Sequence, residues 1–347
     1  MKMTIGKLPN GAKNCITDVA DVRVGHVTLD EALANGDYAC TGVTAILPHG
    51  GNVFQQKVVG ASYVLNGFGK TTGLVQVNEL GQIESPIMLT NTFSVPAVTQ
   101  GTLHYMLAQN EDIGDTTGTI NLVVGECNDS SLNSIRACAV EPKHAVQAIE
   151  AASTAAAANG AVGAGKGMIC FGYKGGIGTA SKIVEHDAQS YTVGCLVQTN
   201  FGSKEEFDPS RYEAKSPETA ESMKPTDGSI IIVIATDAPL THRQLQRMIK
   251  RAGIGLGRTG SHFSHGSGDI VIGFSTAHTI NHYDKGLQTM NVLRDDDPIF
   301  NQLFQAVAEA TESAIIQSLY YAETTTGRNG RVVEAYNFAV GDALANV

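Results

Sequence analysis

The chain is predicted to be an α/β (α+β) protein of stacked sheets, and three observations predict it. Short apolar runs rich in β-branched residues recur along the chain, most clearly Ile230 to Ala235. Helical stretches with apolar residues at three- and four-residue spacing stand between them, as at Thr241–Arg251. The 347 residues include 38 glycines and no tryptophan, a composition suited to many tight turns and close backbone approaches. A mixture of buried strands and amphipathic helices buries its apolar faces in packed layers.

The elements follow in order. Strands are expected at Val22–Val27, Val43–Leu47, Leu74–Val77, Ile87–Leu89 and Ile120–Val124, each bounded by Gly, Asn or Pro. A helix is expected over Val95–Gln109, with Pro96 in its first turn, where a missing N–H costs nothing. A second helix is expected over the alanine-rich stretch His144–Ala158, stopped by Asn159-Gly160. Gly163–Gly178 reads as tight loops, Thr192–Val197 as a strand, and the polar stretch 202–228 as an exposed segment. Ile230–Ala235 reads as a strand buried on both faces, and Thr241 as the cap of a helix running to Arg251. Asp269–Phe274 is a further buried strand, and Asp297–Ala322 a long helical region. No internal repeat is visible.

Composition narrows the function. A net charge of −10 argues against a nucleic-acid backbone as partner. No run approaches the ~20 apolar residues of a membrane span, and the first residues lack a signal-peptide core. The six cysteines are scattered, without a CxxC pair, and read as reduced thiols of a cytoplasmic protein. Two near-P-loops fail. Gly160–Gly167 has Gly167 where the magnesium-binding hydroxyl should be, and the stretch ending Gly69-Lys70-Thr71 has Val64 where the first glycine belongs. His278 and His282 have the spacing of one helix face but lack the glutamate of a zinc-binding helix and an obvious third ligand, and His262 and His265 are unaccompanied. These histidines are read as structural, and no metal or organic cofactor is expected. No G-x-S-x-G nucleophile elbow is present.

Asp227-Gly228-Ser229 carries the chemistry of greatest interest. A hydroxyl at the mouth of a buried strand, preceded by a conformationally permissive glycine, is where a self-cleaving hydrolase would place its nucleophile. Cleavage before Ser229 would give it a free α-amine, with a pKa near ~8, able to act as a local base. An ordinary turn entering a strand is the alternative that these residues alone favour. Downstream, Ser267 and Asp269 flank Gly268 at another strand mouth, where period-two geometry turns both side chains to one side. A Gly-rich turn with a local hydrogen bond is the plainer account of that pair.

In its ordered blocks the chain resembles the β-peptidyl aminopeptidase family, the DmpA-type L-aminopeptidase/D-amidase/D-esterases, over nearly its whole length. The blocks are Ile16–His26, Thr41–Thr44, Asn66–Gly69, Leu89–Thr92, Val124–Asp129, Gly172–Ser181, Gln198–Gly202, Asp227–Ser229, Ala252–Ser261 and Gly266–Asp269. The resemblance implies a layered αββα sandwich similar to N-terminal-nucleophile hydrolases. It implies one self-processing domain over 1–347, cut at Gly228-Ser229 into an α chain (1–228) and a β chain (229–347). It further implies Ser229 as nucleophile, Ser267 and Asp269 as its catalytic partners, Asn200 as oxyanion donor and Glu126 as the anchor of the substrate's ammonium. Asn200 as a turn residue, and Glu126 as a structural carboxylate pairing with Arg136 or capping backbone, are the local alternatives. Relatives often carry an aromatic residue where Ser131 stands here. The implied substrate is a short peptide, amino-acid amide or ester with a free amine, and the implied assembly a homo-oligomer of αβ units. Two rival readings are an acyltransferase of the ornithine-acetyltransferase architecture, which typically uses threonine as nucleophile, and an unprocessed ligand-binding protein.

Overall fold

In the computed structural model, which describes residues 5–186, 189–212 and 228–338, two sheets lie face to face between helical layers. The first sheet holds β1 (Arg23–Ala32), β2 (Tyr38–Leu47), β5 (Ile87–Asn91) and β6 (Val123–Cys127), in the order β1-β2-β5-β6. The second holds β3 (Gln56–Gly67), β4 (Gln82–Ile83), β9 (Ile177–His186), β10 (Gln189–Asn200), β11 (Ser229–Thr236) and β12 (Gly268–Asn281), in the order β4-β3-β12-β11-β10-β9. Two small hairpins complete the strands: β7 (Ile169–Cys170) with β8 (Tyr173–Lys174), and β13 (Thr325–Thr326) with β14 (Val332–Val333). The helices are α1 (Leu74–Leu80), α2 (Val95–Gln109), α3 (Pro142–Glu150), α4 (His242–Ile249), α5 (Ala252–Arg258) and α6 (Ile299–Tyr320).

The αββα layering follows from which faces are apolar. Between the sheets, Ile46, Leu89, Val123 and Cys127 meet Leu196, Ile231, Val233 and Ile272. On the outer face of the larger sheet, Ile230, Ile232, Ile234 and Val271 pack against Leu245 and Met248 of α4, Leu256 of α5 and Val307, Ala314 and Ile315 of α6. On the outer face of the smaller sheet, Val43, Ala45, Met88 and Val124 pack on Val98 of α2 and Ala145, Ala148 and Ile149 of α3. Alternate residues of β11 thus feed two different cores, which is why its sequence is an unbroken apolar run.

Most expected elements are present, and the differences have local causes. Leu74–Val77 is a helix, not a strand. Gly73 and Gly81, both left-handed, bracket α1; Gly81 N donates to Val77 O at 2.9 Å, and Val75, for all its β-branching, faces solvent. The strand expected at 120–124 begins at Val123 and ends at Cys127, so Glu126 lies within it. The alanine-rich helix stops at Glu150, because Ser153 pairs its backbone with Val24 of β1 (3.0 and 3.1 Å). His278 lies on β12, not on a helix. Its Nε2 meets Asn291 O at 2.7 Å, while His282 Nε2 meets Thr117 Oγ1 at 2.7 Å. Of the segment 202–228, only 202–212 and Gly228 are among the described residues. All six cysteines are free and only Cys138 is exposed. Among the described residues no helix is long and apolar enough to cross a membrane.

Candidate active site

Strand register assembles the site. Ser229, the first residue of β11, lies opposite Asn200, the last residue of antiparallel β10. On its other side it lies opposite Gly268, the first residue of parallel β12. Neighbouring strands run ~4.7–4.9 Å apart, so three strand ends bring these residues together. Ser267 and Asp269 flank Gly268, and the Ser267 hydroxyl donates to Asp269 Oδ1 at 2.7 Å. The alternation that the sequence predicts for this pair is therefore a direct hydrogen bond. Asn66 Nδ2 holds the Ser267 carbonyl at 2.5 Å, fixing the turn.

Gly228 stands where space is short. A Cβ at Gly228 would lie 3.0 Å from both Cα and Cβ of Phe201. The Gly228 carbonyl accepts the Gly268 N–H at 3.2 Å, so the parallel ladder continues past the junction and polarises this carbonyl.

The electrostatics are those of a dry site. Ser229, Ser267, Asp269, Asn200 and Glu126 are all buried. Burial raises the Asp269 carboxyl to about 6, against the opposing effect of the Ser267 hydrogen bond. Its Oδ2 is buried with no hydrogen-bond partner. Asn200 Oδ1 accepts from Ile169 N at 3.0 Å and its Nδ2 donates to the Asn128 carbonyl at 2.9 Å. An amide nitrogen carries two hydrogens, so one remains for a further acceptor. Glu126 takes the backbone N–H of Lys70 on Oε1 at 2.8 Å and the Thr92 hydroxyl on Oε2, so it caps backbone as the local alternative has it and is not held by Arg136. Its carboxylate reaches the strand ends: a Cβ placed on Gly69 would lie 3.7 Å from Glu126 Oε1 and 3.8 Å from Gly268 Cα.

Two participants were not singled out from the sequence. Cys127 is fully buried, and burial pushes its thiol well above the usual range, with the Glu126 charge adding to this and the nearby Ser229 side chain opposing it; its Sγ donates to the Gln198 carbonyl at 3.5 Å. Thr92 holds Glu126. Both stand in quoted blocks, but their roles depend on register and turns that the blocks do not reveal. Ser131 Oγ, on the loop after β6, is buried without a hydrogen-bond partner. Among the described residues no group of three His, Cys, Asp or Glu side chains is placed to hold a metal ion.

The profile of peptidase family S58 matches residues 14–333. The chain is 41% identical over 345 residues to a β-peptidyl aminopeptidase, BapA, of Sphingosinicella microcystinivorans, covering 93% of this chain and 85% of the relative. Its structure is similar to a β-aminopeptidase from Burkholderia sp., with TM-score 0.86, 36% identity, and coverage of 96% of this chain and 94% of that one. It is equally similar to an L-aminopeptidase D-Ala-esterase/amidase from Ochrobactrum anthropi, described as a prototype of the serine aminopeptidases with a variant of the Ntn hydrolase fold: TM-score 0.86, 31% identity, and coverage of 96% and 94%. With its layered sheets and strand-end cluster of serine, carboxylate and amide groups, the chain belongs to peptidase family S58 and is a self-processing serine aminopeptidase/amidase.

Proposed function

We propose that the chain cuts itself between Gly228 and Ser229 and that the new N-terminal Ser229 is the nucleophile for turnover. The observation that carries this is the register that places Ser229 between Asn200 and Gly268, beside the Ser267–Asp269 pair. In the first step the Ser229 oxygen attacks the Gly228 carbonyl carbon. The C–N bond breaks, nitrogen takes up the proton, and an ester links Gly228 to the Ser229 oxygen. Water then hydrolyses that ester, leaving a carboxylate on Gly228 and a free amine on Ser229. The Gly268 N–H, which already holds the Gly228 oxygen, supports the charge that develops there.

In the mature protein the Ser229 amine takes the hydroxyl proton as Ser229 attacks the substrate carbonyl. Asp269, lacking a partner on Oδ2 and bonded to Ser267 on Oδ1, orients that amine and holds its charge. The second Asn200 N–H stabilises the tetrahedral oxyanion, and Glu126 receives the substrate's ammonium. The amine returns the proton to the leaving group, and water releases the acyl group. Substrates are short peptides, amino-acid amides or esters with a free amine, and β-amino acyl groups are the first to test in view of the relatives' names.

We further place the protein in the cytoplasm as a homo-oligomer of αβ units, without a cofactor. Five buried, unbonded cysteines support a reducing compartment. The outer edge of β3 supports self-association: β4 pairs with it only at Val58 and Val59, and the exposed Tyr63 and Val64 lie beyond. The test of the whole reading is intact mass under denaturing conditions for wild type beside Ser229→Ala. Two fragments in the wild type, the smaller beginning at Ser229, with an intact and inactive mutant, are expected. Turnover by Ser229→Ala would end the proposal.

A further inference from the structure

Glu126 is held from a distance by a buried polar network that begins on a different strand. Thr90 of β5 lies opposite Glu126 of β6 in parallel register. The chain leaves β5 at Asn91, whose Oδ1 accepts the N–H groups of Phe93 (3.1 Å) and Ser94 (3.0 Å). This cap forces a tight turn that carries the Thr92 hydroxyl back onto Glu126 Oε2. Asn91 is itself fixed by donating from Nδ2 to Thr41 Oγ1 on β2 at 2.7 Å. Further along, the Asp129 carboxyl accepts from Asn133 Nδ2 at 2.9 Å, while its Oδ2 is buried without a hydrogen-bond partner. Thr41, Asn91 and Asp129 are buried to 2% exposure or less. Asp129 adjoins Asn128, whose carbonyl takes Asn200 Nδ2.

A carboxylate has about four acceptor positions, and its terminal torsion is broad and soft. Lys70 N and the Thr92 hydroxyl occupy one position on each Glu126 oxygen and so fix the plane of the group. The remaining positions face an incoming ammonium in one orientation. We propose that Thr92, set by the Asn91–Thr41 contact, is a positioning residue that fixes Glu126 and thereby makes the protein select substrates bearing an amine. This rests on the assignment of Glu126 and Ser229 above. Thr92 is only partly buried, on a turn, so losing its hydroxyl disturbs little of the core.

The test compares two substrates on the full, self-cleaved chain: a β-amino acyl p-nitroanilide and the matching p-nitrophenyl ester without the amine. Thr92→Val is expected to raise KM for the amine substrate roughly tenfold, with kcat and turnover of the amine-free ester within about twofold of wild type. Thr92→Ser, which keeps the hydroxyl, is expected to restore KM. Unchanged KM in Thr92→Val would overturn the proposal, as would an equal loss on both substrates, which marks a merely structural role. Turnover surviving in Ser229→Ala would overturn the functional reading and this proposal together, and shows before any Thr92 variant is made.

Discussion

Asp269 is the group at the site whose ionisation falls within a readily measured range. Burial holds its carboxyl at about 6 instead of the ordinary 3.8. To hold the charge of the Ser229 amine it must be ionised, so turnover is expected to slow as pH falls through about 6, and Asp269→Asn to abolish that limb of the pH–rate profile. The same shift has a cost in stability. A carboxyl raised in the fold favours the fold fully below 3.8, and that share is lost as pH rises through about 6. Chemical denaturation at pH 4 and pH 7 is expected to show this loss in wild type, and a smaller loss in Asp269→Asn. Asn200 has a different signature. Asn200→Ala is expected to lower kcat by about 10²–10³ with little change in KM, read from steady-state kinetics, because an oxyanion donor acts mainly on the transition state.

Elements are held here by glycines that allow close contact. A Cβ on Gly255 of α5 would lie 2.4 Å from the Ala308 carbonyl of α6. Gly255→Ala is expected to cost about 1–3 kcal/mol, read as a lower Tm. Gly228→Ala, crowding Phe201, is expected to slow self-cleavage about tenfold, followed by the time course of fragment appearance. The helix over 95–109 was legible from Pro96 in its first turn, and the strand over 230–235 from its unbroken run of β-branched apolar residues. β3 was not: Lys57 is buried on it against Glu84, and Gly60 packs on Ile83, so its pattern reads as neither polar-out nor apolar-in. At the site, Ser229, Ser267 and Asp269 stand at strand mouths that local spacing suggests, whereas Asn200 and Glu126 drew their proposed roles from the family motifs. Thr92 and Cys127 carried no signal of their own, since a turn and a pairing register between distant segments bring them there.

Over the whole molecule, the proposed cut separates neighbours within one sheet. β11 and β12 of the proposed β chain lie side by side, with β10 and β9 of the α chain on one flank and β3 and β4 on the other. Both flanks carry long pairing, unbroken from Val193↔Thr236 to Asn200↔Ser229, and from Gly268↔Gly67 to Asn281↔Gln56 with irregularities after Asp269 and after Ser275. The two chains are therefore expected to co-elute in native size-exclusion chromatography after cleavage, although they separate under denaturing conditions. A central strand pair clasped on both edges cannot leave without unmaking the sheet and both of its cores. Before the cut, a denatured molecule carries all its strands on one thread and can refold by itself at any dilution. After the cut, the same event requires two separate polymers to meet, so recovery from urea depends on concentration in the processed protein and not in Ser229→Ala, and each molecule has in effect one unassisted chance to fold.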